Sequence, residues 1–126
     1  MPVFSNISLT RLQTCDYDIQ EVMKEAIIRY DFSVICGFRC EADQNKAYRE
    51  GNSGAKWPQS AHNVYPSKAV DIAPWPIDWK DTQRFYEMAA YILEVAGRLG
   101  IPLVWGGNWR IRKVSKLVDL PHFELA

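Results

Sequence analysis

The chain is poor in the side chains that most often carry metal and acid–base chemistry. It has two histidines, His62 and His122, in 126 residues, so imidazole chemistry has only two places to occur. It has three cysteines, Cys15, Cys36 and Cys40, and an odd count leaves at least one thiol unpaired. That fits a reducing compartment rather than a disulfide scaffold. Cys36 and Cys40 have C-x3-C spacing, but no second pair completes a four-cysteine site, so buried or free thiols are expected. Neither sign of charge is in excess: 15 Lys plus Arg balance 15 Asp plus Glu. This excludes the basic footprint of a dedicated nucleic-acid binder and the composition of an acidic disordered chain. No apolar run approaches the ~20 residues needed to span a bilayer. The N-terminus lacks a basic stretch followed by an apolar one, so no secretory leader is expected. Neither H-E-x-x-H nor G-x-S-x-G occurs.

What is present suffices for one folded domain, expected to span 1–126. Hydrophobic residues make up 48% of the chain and aromatic residues 13%. Several of the five tryptophans, Trp57, Trp75, Trp79, Trp105 and Trp109, stand beside Pro or Gly. Such residues either pack loops onto the domain or wall a groove.

Residues 16–30 carry apolar positions at helical spacing, from Ile19 to Tyr30, behind the cap candidates Thr14 and Asp16. Phe32–Cys36 reads as a strand ending at Gly37, and residues 41–50 as a short polar helix stopped by Gly51. Residues 51–67 have loop composition. Residues 69–73 read as a strand ended by Pro74-Trp75-Pro76. A third helix is expected at Thr82–Leu99, capped by Asp78 or Asp81. Its apolar stripe is Phe85, Met88, Ala89, Ile92, Leu93, Ala96 and Leu99, with Gly100 and Pro102 as the stop. Leu103–Trp105 and 121–125 are further strand candidates, separated by a Gly106-Gly107-Asn108 turn and a basic stretch at 110–116. This order suggests one α+β domain, a small antiparallel sheet with packed helices and no repeat or linker.

Asp71 stands inside the apolar stretch Ala69-Val70-Asp71-Ile72-Ala73. It either lies on the solvent face of the strand or needs a buried partner, because an unpaired buried charge costs several kcal/mol. His62, Asp71 and His122 together form a sound zinc ligand set with a fourth position open for water, the arrangement of a catalytic site. Asp119, Glu124 and Asp78 are the candidates for the carboxylate that takes the proton from that water. A Ser60–His62–Asp71 triad is a rival. A lone histidine is more often a satisfied core or surface residue than a ligand.

At these residues the sequence resembles the VanY-type peptidoglycan peptidases. Ser60-Ala61-His62 with Ala69-Val70-Asp71 is similar to the family's S-x-H…A-x-D motif, and Asp119-Leu120-Pro121-His122 to its closing D-x-x-H. Gly37-Phe38-Arg39 with Gln44, Tyr48 and Gly51 resembles an upstream G-x-R…Q…G segment. The stretches 73–79 and 105–109 resemble the L-alanyl-D-glutamate endopeptidase branch found in phage endolysins. The likeness covers roughly residues 8–125.

It implies a Hedgehog/DD-peptidase-like fold and one catalytic Zn2+ held by His62, Asp71 and His122. It also implies Asp119 as general base and Arg39 as a group that holds an oxyanion or a substrate carboxylate, unless Arg39 is a structural ion pair. Ser60 would support the site from behind, and Gln44 and Asn63 would touch substrate or brace the site. The implied activity is hydrolysis of the peptide stem of peptidoglycan at L-Ala–D-Glu. Alternatives are a D-alanyl-D-alanine carboxypeptidase or dipeptidase, or a non-catalytic wall-binding module on the same fold. A monomer is expected, with no nucleic-acid partner and no membrane insertion. It would be held in the host cytoplasm and released to the wall through a holin lesion. Three departures are visible: the His62–Asp71 loop is lengthened by Tyr65-Pro66-Ser67-Lys68, the segment Arg110-Ile111-Arg112-Lys113-Val114-Ser115-Lys116 after Trp109 is longer than the endolysin pattern, and Asn108 stands where Asp is often found.

Overall fold

The computed structural model describes residues 2–108 and 119–126. In chain order these form α1 (Asn6–Leu12), α2 (Tyr17–Ala26), β1 (Phe32–Cys36), α3 (Glu41–Arg49), β2 (Ala69–Pro74), α4 (Thr82–Leu99), β3 (Leu103–Trp105) and β4 (His122–Leu125). Short 3-10 turns lie at Ala61–Asn63 and Gly106–Asn108. The strands make one antiparallel sheet in the order β1-β2-β4-β3, so the α+β expectation is borne out. The basic stretch at 110–116 lies outside the described residues.

The two long helices form because their apolar residues recur at helical spacing, which gives each a stripe to bury. In α2 the stripe is Ile19, Val22, Met23 and Ala26, and the Asp16 carboxylate caps the helix by accepting from the Asp18 amide. The α2 helix ends four residues before Tyr30. Its last turn loosens as the Arg29 and Tyr30 amides both donate to the Ala26 carbonyl. In α4 the buried residues are Phe85, Met88, Ala89, Ile92, Val95 and Ala96. Leu99, expected on that stripe, is exposed, and Val95 takes the inward position. Gly100 ends α4 in the left-handed conformation, at φ 71°.

Helix α1 was not expected. It buries only Ser8 and Leu12, too few positions for a periodic signal. Its role is at the sheet edge: Val34 of β1 donates its amide to Ser8 Oγ at 3.0 Å, and its carbonyl accepts from Arg11 Nη1 at 3.1 Å. The outer edge of β1 is thereby covered rather than left open for pairing.

The sheet register sets up everything that follows. Val70 and Ile72 of β2 are fully buried in the core. Asp71, between them, therefore projects from the opposite face. On β4, Phe123 pairs with Val70 and faces the core, while His122 pairs with Asp71. On β1 the register runs Val34 to Ile72 and then Cys36 to Asp71, leaving Ile35 as an extra residue in a bulge. Cys36, Asp71 and His122 consequently stand side by side on three neighbouring strands.

Candidate metal centre

His62 reaches this row from above, on the 3-10 turn. Ser60 builds that turn: its Oγ accepts from the His62 amide at 3.2 Å, and its own amide donates to Asn63 Oδ1 at 3.0 Å. This reciprocal cap fixes a three-residue turn that would otherwise fray. The turn is tied to the end of β1 by the Arg39 amide, which donates to the His62 carbonyl at 2.8 Å.

Each imidazole is oriented by its outer nitrogen. His62 Nδ1 lies 2.7 Å from the Gly37 carbonyl, which can only accept, so this nitrogen carries hydrogen. His62 Nε2 then faces Asp71 Oδ1 at 3.3 Å. His122 is turned the other way round, with Nε2 donating to Glu124 Oε1 at 2.7 Å and Nδ1 facing the same Asp71 oxygen at 3.1 Å. Two nitrogens and one carboxylate oxygen thus converge, each ring held from behind by an acceptor. That is the arrangement that selects tautomer and ring direction in histidine metal sites. All three side chains are buried or nearly so, at 2%, 15% and 6% exposure for His62, Asp71 and His122.

The electrostatics match a place that demands a cation. Burial disfavours a charged His62, yet hydrogen bonding and charge from Asp71, with help from Cys36, outweigh it and raise the pKa to about 10. Burial likewise opposes a charged His122, but Asp71 and Glu124 raise it to about 9. Burial pushes the Asp71 carboxyl up, and the hydrogen bonds from His122 and His62 more than reverse that, holding it well below the usual carboxylate range. In the protein by itself, Asp71 thus favours protons on both inner nitrogens. A divalent ion displaces such protons on binding. The donor set fits zinc, which takes imidazole nitrogen and carboxylate oxygen in this combination.

Asp119 completes the cluster. Its carboxylate groups with the donor atoms of Asp71 and His122, all within 4.8 Å of one another. Burial first, and then the Asp71 charge, raise its pKa to about 6. Its position depends on Gly106, where an added Cβ would stand 2.3 Å from the Asp119 carbonyl oxygen and 3.1 Å from His122 Cβ. Arg39 lies on the other side, with Nη2 3.4 Å from Asp71 Oδ2 and Nη1 donating to Gln44 Oε1 at 3.0 Å.

Residues 2–126 match the family described as phage L-alanyl-D-glutamate peptidase. The chain belongs to that family. The L-alanyl-D-glutamate peptidase of Escherichia phage T5 is 29% identical over 111 residues, covering 84% of this chain and 80% of the relative. The crystal structure of the Serratia marcescens L-Ala D-Glu endopeptidase ChiX superposes with a TM-score of 0.80 at 27% identity, over 99% of this chain and 91% of that one. The resemblance to the endolysin branch is thus borne out, and with it the identity of the chain as an L-alanyl-D-glutamate peptidase.

Within this peptidase the alternatives left open by the sequence separate. Asp71 is not on a solvent face, because two histidines and Arg39 surround it. The Ser60–His62–Asp71 triad is not formed: both ring nitrogens of His62 are engaged, by Gly37 and Asp71, and Ser60 caps the backbone instead. Of the three carboxylates, Asp78 is exposed and accepts from the Lys80 amide in a turn. Glu124 is committed to His122, which leaves Asp119 in the cluster.

Gln44 and Asn63 do not reach outward. Gln44 is fully buried, accepting from Arg39 and Asn63 and donating to Ser53 Oγ and the Ala55 carbonyl. Asn63 is 6% exposed and also donates to the Arg39 carbonyl at 3.1 Å. The pair braces Arg39 and the His62 turn from inside.

The tryptophans do not make one wall. Trp105 is a core residue, stacked on Phe123, with Nε1 donating to the Leu120 carbonyl at 2.7 Å. Trp79 stacks on Phe85, Trp75 is exposed, Trp57 is half-buried, and Trp109 lies outside the described residues. Two site features escaped the sequence reading. Glu124 as the His122 partner was signalled by its position two residues on, on the same strand face. Cys36 beside Asp71 was not signalled, because only the bulge turns it there.

Proposed function

We propose that this peptidase cleaves the L-Ala–D-Glu amide of the peptidoglycan stem with one zinc ion held by His62 Nε2, Asp71 and His122 Nδ1. The observation that carries the reading is the convergence of both inner nitrogens on one Asp71 oxygen, with each outer nitrogen already fixed. When bound, zinc supplies Lewis acidity for the scissile carbonyl and makes a bound water acidic.

The chain's own groups do the rest. Asp119, beside His122 and with its pKa raised to about 6, is ionised at neutral pH and basic enough to accept the proton of the attacking water. The same carboxyl then returns that proton to the departing amine of D-Glu. Arg39, held by Gln44 and adjacent to Asp71, presents a guanidinium to the charge that develops on the carbonyl oxygen or to a substrate carboxylate. Ser60, Asn63 and Glu124 hold the two imidazoles in place and touch no reacting atom. The unit acts as one catalytic domain and a monomer. No described helix is long and apolar enough to cross a membrane. Release from the host cytoplasm falls to a separate holin-type lesion in this reading.

Metal analysis paired with mass spectrometry of digested muropeptides tests this reading. One zinc per chain and products split between L-Ala and D-Glu are expected, with lysis abolished by EDTA and by His62→Ala. Release of terminal D-Ala with the L-Ala–D-Glu bond intact would replace the substrate assignment with the carboxypeptidase one. Wall binding without any hydrolysis would favour the non-catalytic alternative.

A further inference from the structure

Cys36, on the sheet, is a donor that the three-ligand set does not use. Cys36 is the residue of β1 opposite Asp71, and it holds that place only because Ile35 is bulged out. In an unbroken register Ile35 would face Asp71 and Cys36 would point elsewhere. Bulges of this kind re-aim a side chain next to a functional site. The result is a row of Cys36, Asp71 and His122 across β1, β2 and β4, with His62 above it. The Cys36 sulfur and the donor atoms of His62 and Asp71 lie within 4.8 Å of one another. The thiol is half-buried and donates to the neighbouring Gly37 carbonyl at 3.5 Å, a weak hydrogen bond because S–H is a weak donor. The other two cysteines are placed differently: Cys15 is buried under α1 and β2, and Cys40 is exposed at the start of α3.

We propose that Cys36 is a further protein ligand of the metal centre, its sulfur joining His62 and Asp71 around the ion in the substrate-free peptidase and yielding that position to water when substrate enters. The inference rests on the metal reading given above and adds a soft donor to it. On ligation the thiol loses its proton to solvent and the sulfur binds as thiolate. A thiolate in the set changes which ion the site prefers. Imidazole and carboxylate alone accept many divalent ions, whereas sulfur favours the softer ones, zinc and cadmium over manganese or nickel. The bulge therefore sets metal selectivity, because it decides whether Ile35 or Cys36 faces the site.

The test uses the intact protein carrying Cys40→Ser, which removes the exposed thiol without touching the site. Loading with one equivalent of Co2+ should give a sulfur-to-cobalt charge-transfer band in the near ultraviolet. Cys36→Ser in the same background should abolish that band while still binding one equivalent by metal analysis. In competition, Cys36→Ser should lower the preference for cadmium over zinc by about tenfold or more, on the scale of a perturbed metal site. One equivalent bound with no sulfur band in the parent protein would overturn the Cys36 assignment and leave the His–Asp–His reading standing. No metal bound by either protein would overturn both. Serine is nearly isosteric with cysteine, and the parent spectrum decides the question without any variant.

Discussion

Replacing Glu124 tests whether the outer partners of the histidines hold the site together. Glu124 Oε1 accepts from His122 Nε2 at 2.7 Å, on a side chain 30% exposed, while the His122 ring is 6% exposed. The bond is short and charge-assisted, a class worth about 1.5–3 kcal/mol. Part of that is screened, because one edge of the carboxylate meets water. Glu124→Gln keeps an acceptor oxygen but removes the charge that makes His122 Nδ1 a stronger donor. Glu124→Leu removes both and frees the ring to rotate. Loss of an outer-shell partner costs about 10–100-fold in metal affinity. We expect Glu124→Gln at the lower end and Glu124→Leu at the upper end, equivalent to about 1.4–2.8 kcal/mol. The assay is zinc competition against a chromophoric chelator at constant pH, with folding checked by thermal melting. The ordering matters as much as the size. If Glu124→Leu changed zinc affinity by less than about threefold, the inner nitrogen of His122 would not depend on its outer bond, and the tautomer argument would fail.

Three further outcomes follow from the same geometry. Asp119 works as a base only when ionised, and its pKa of about 6 means that kcat/KM should fall as pH drops through that region. A bound dication pulls the acid limb lower still, and Asp119→Asn should remove turnover while metal analysis still finds zinc. In the metal-free protein, His62 and His122 have pKa values raised to about 10 and 9, so their contribution to stability is complete below about pH 6.5 and lost as pH rises through 9–10. Melting of EDTA-treated protein should therefore drop across that window, and zinc should remove most of the drop by replacing the protons; an unchanged Tm from pH 6 to 10 would refute the coupling. Gly106→Ala puts a methyl 2.3 Å from the Asp119 carbonyl oxygen, so overpacking should cost about 1–3 kcal/mol in denaturant titration and depress activity by displacing Asp119 and His122 together.

Much of the fold was legible because it rests on local pattern. Phe32–Cys36, Thr82–Leu99 and Leu103–Trp105 form where composition and spacing place them. Helix α1 was hidden because seven residues with two buried positions carry no period. Leu99 was misplaced, and Trp105 was left open between core and groove, for a related reason: an apolar residue next to Gly or at a helix end reads alike whether it faces in or out. In the site, the residue types at 62, 71 and 122 already suggested zinc. Which of Asp78, Asp119 and Glu124 stood near it did not follow from chemistry alone, since all three offer the same carboxylate.

By itself, then, the chain order of apolar and polar residues determined a small α+β fold and supplied one plausible ligand set from only two histidines. Tertiary structure decided the rest. Strand pairing aligned Asp71 with His122, and a one-residue bulge brought Cys36 rather than Ile35 to the same row. Loop closure carried His62 over the sheet and spent its outer nitrogen on the Gly37 carbonyl. The physical reason is that periodicity is a property of neighbours in sequence, whereas register and ring orientation are settled by hydrogen bonds between residues far apart in the chain, 51 positions in the case of His122 and Asp71.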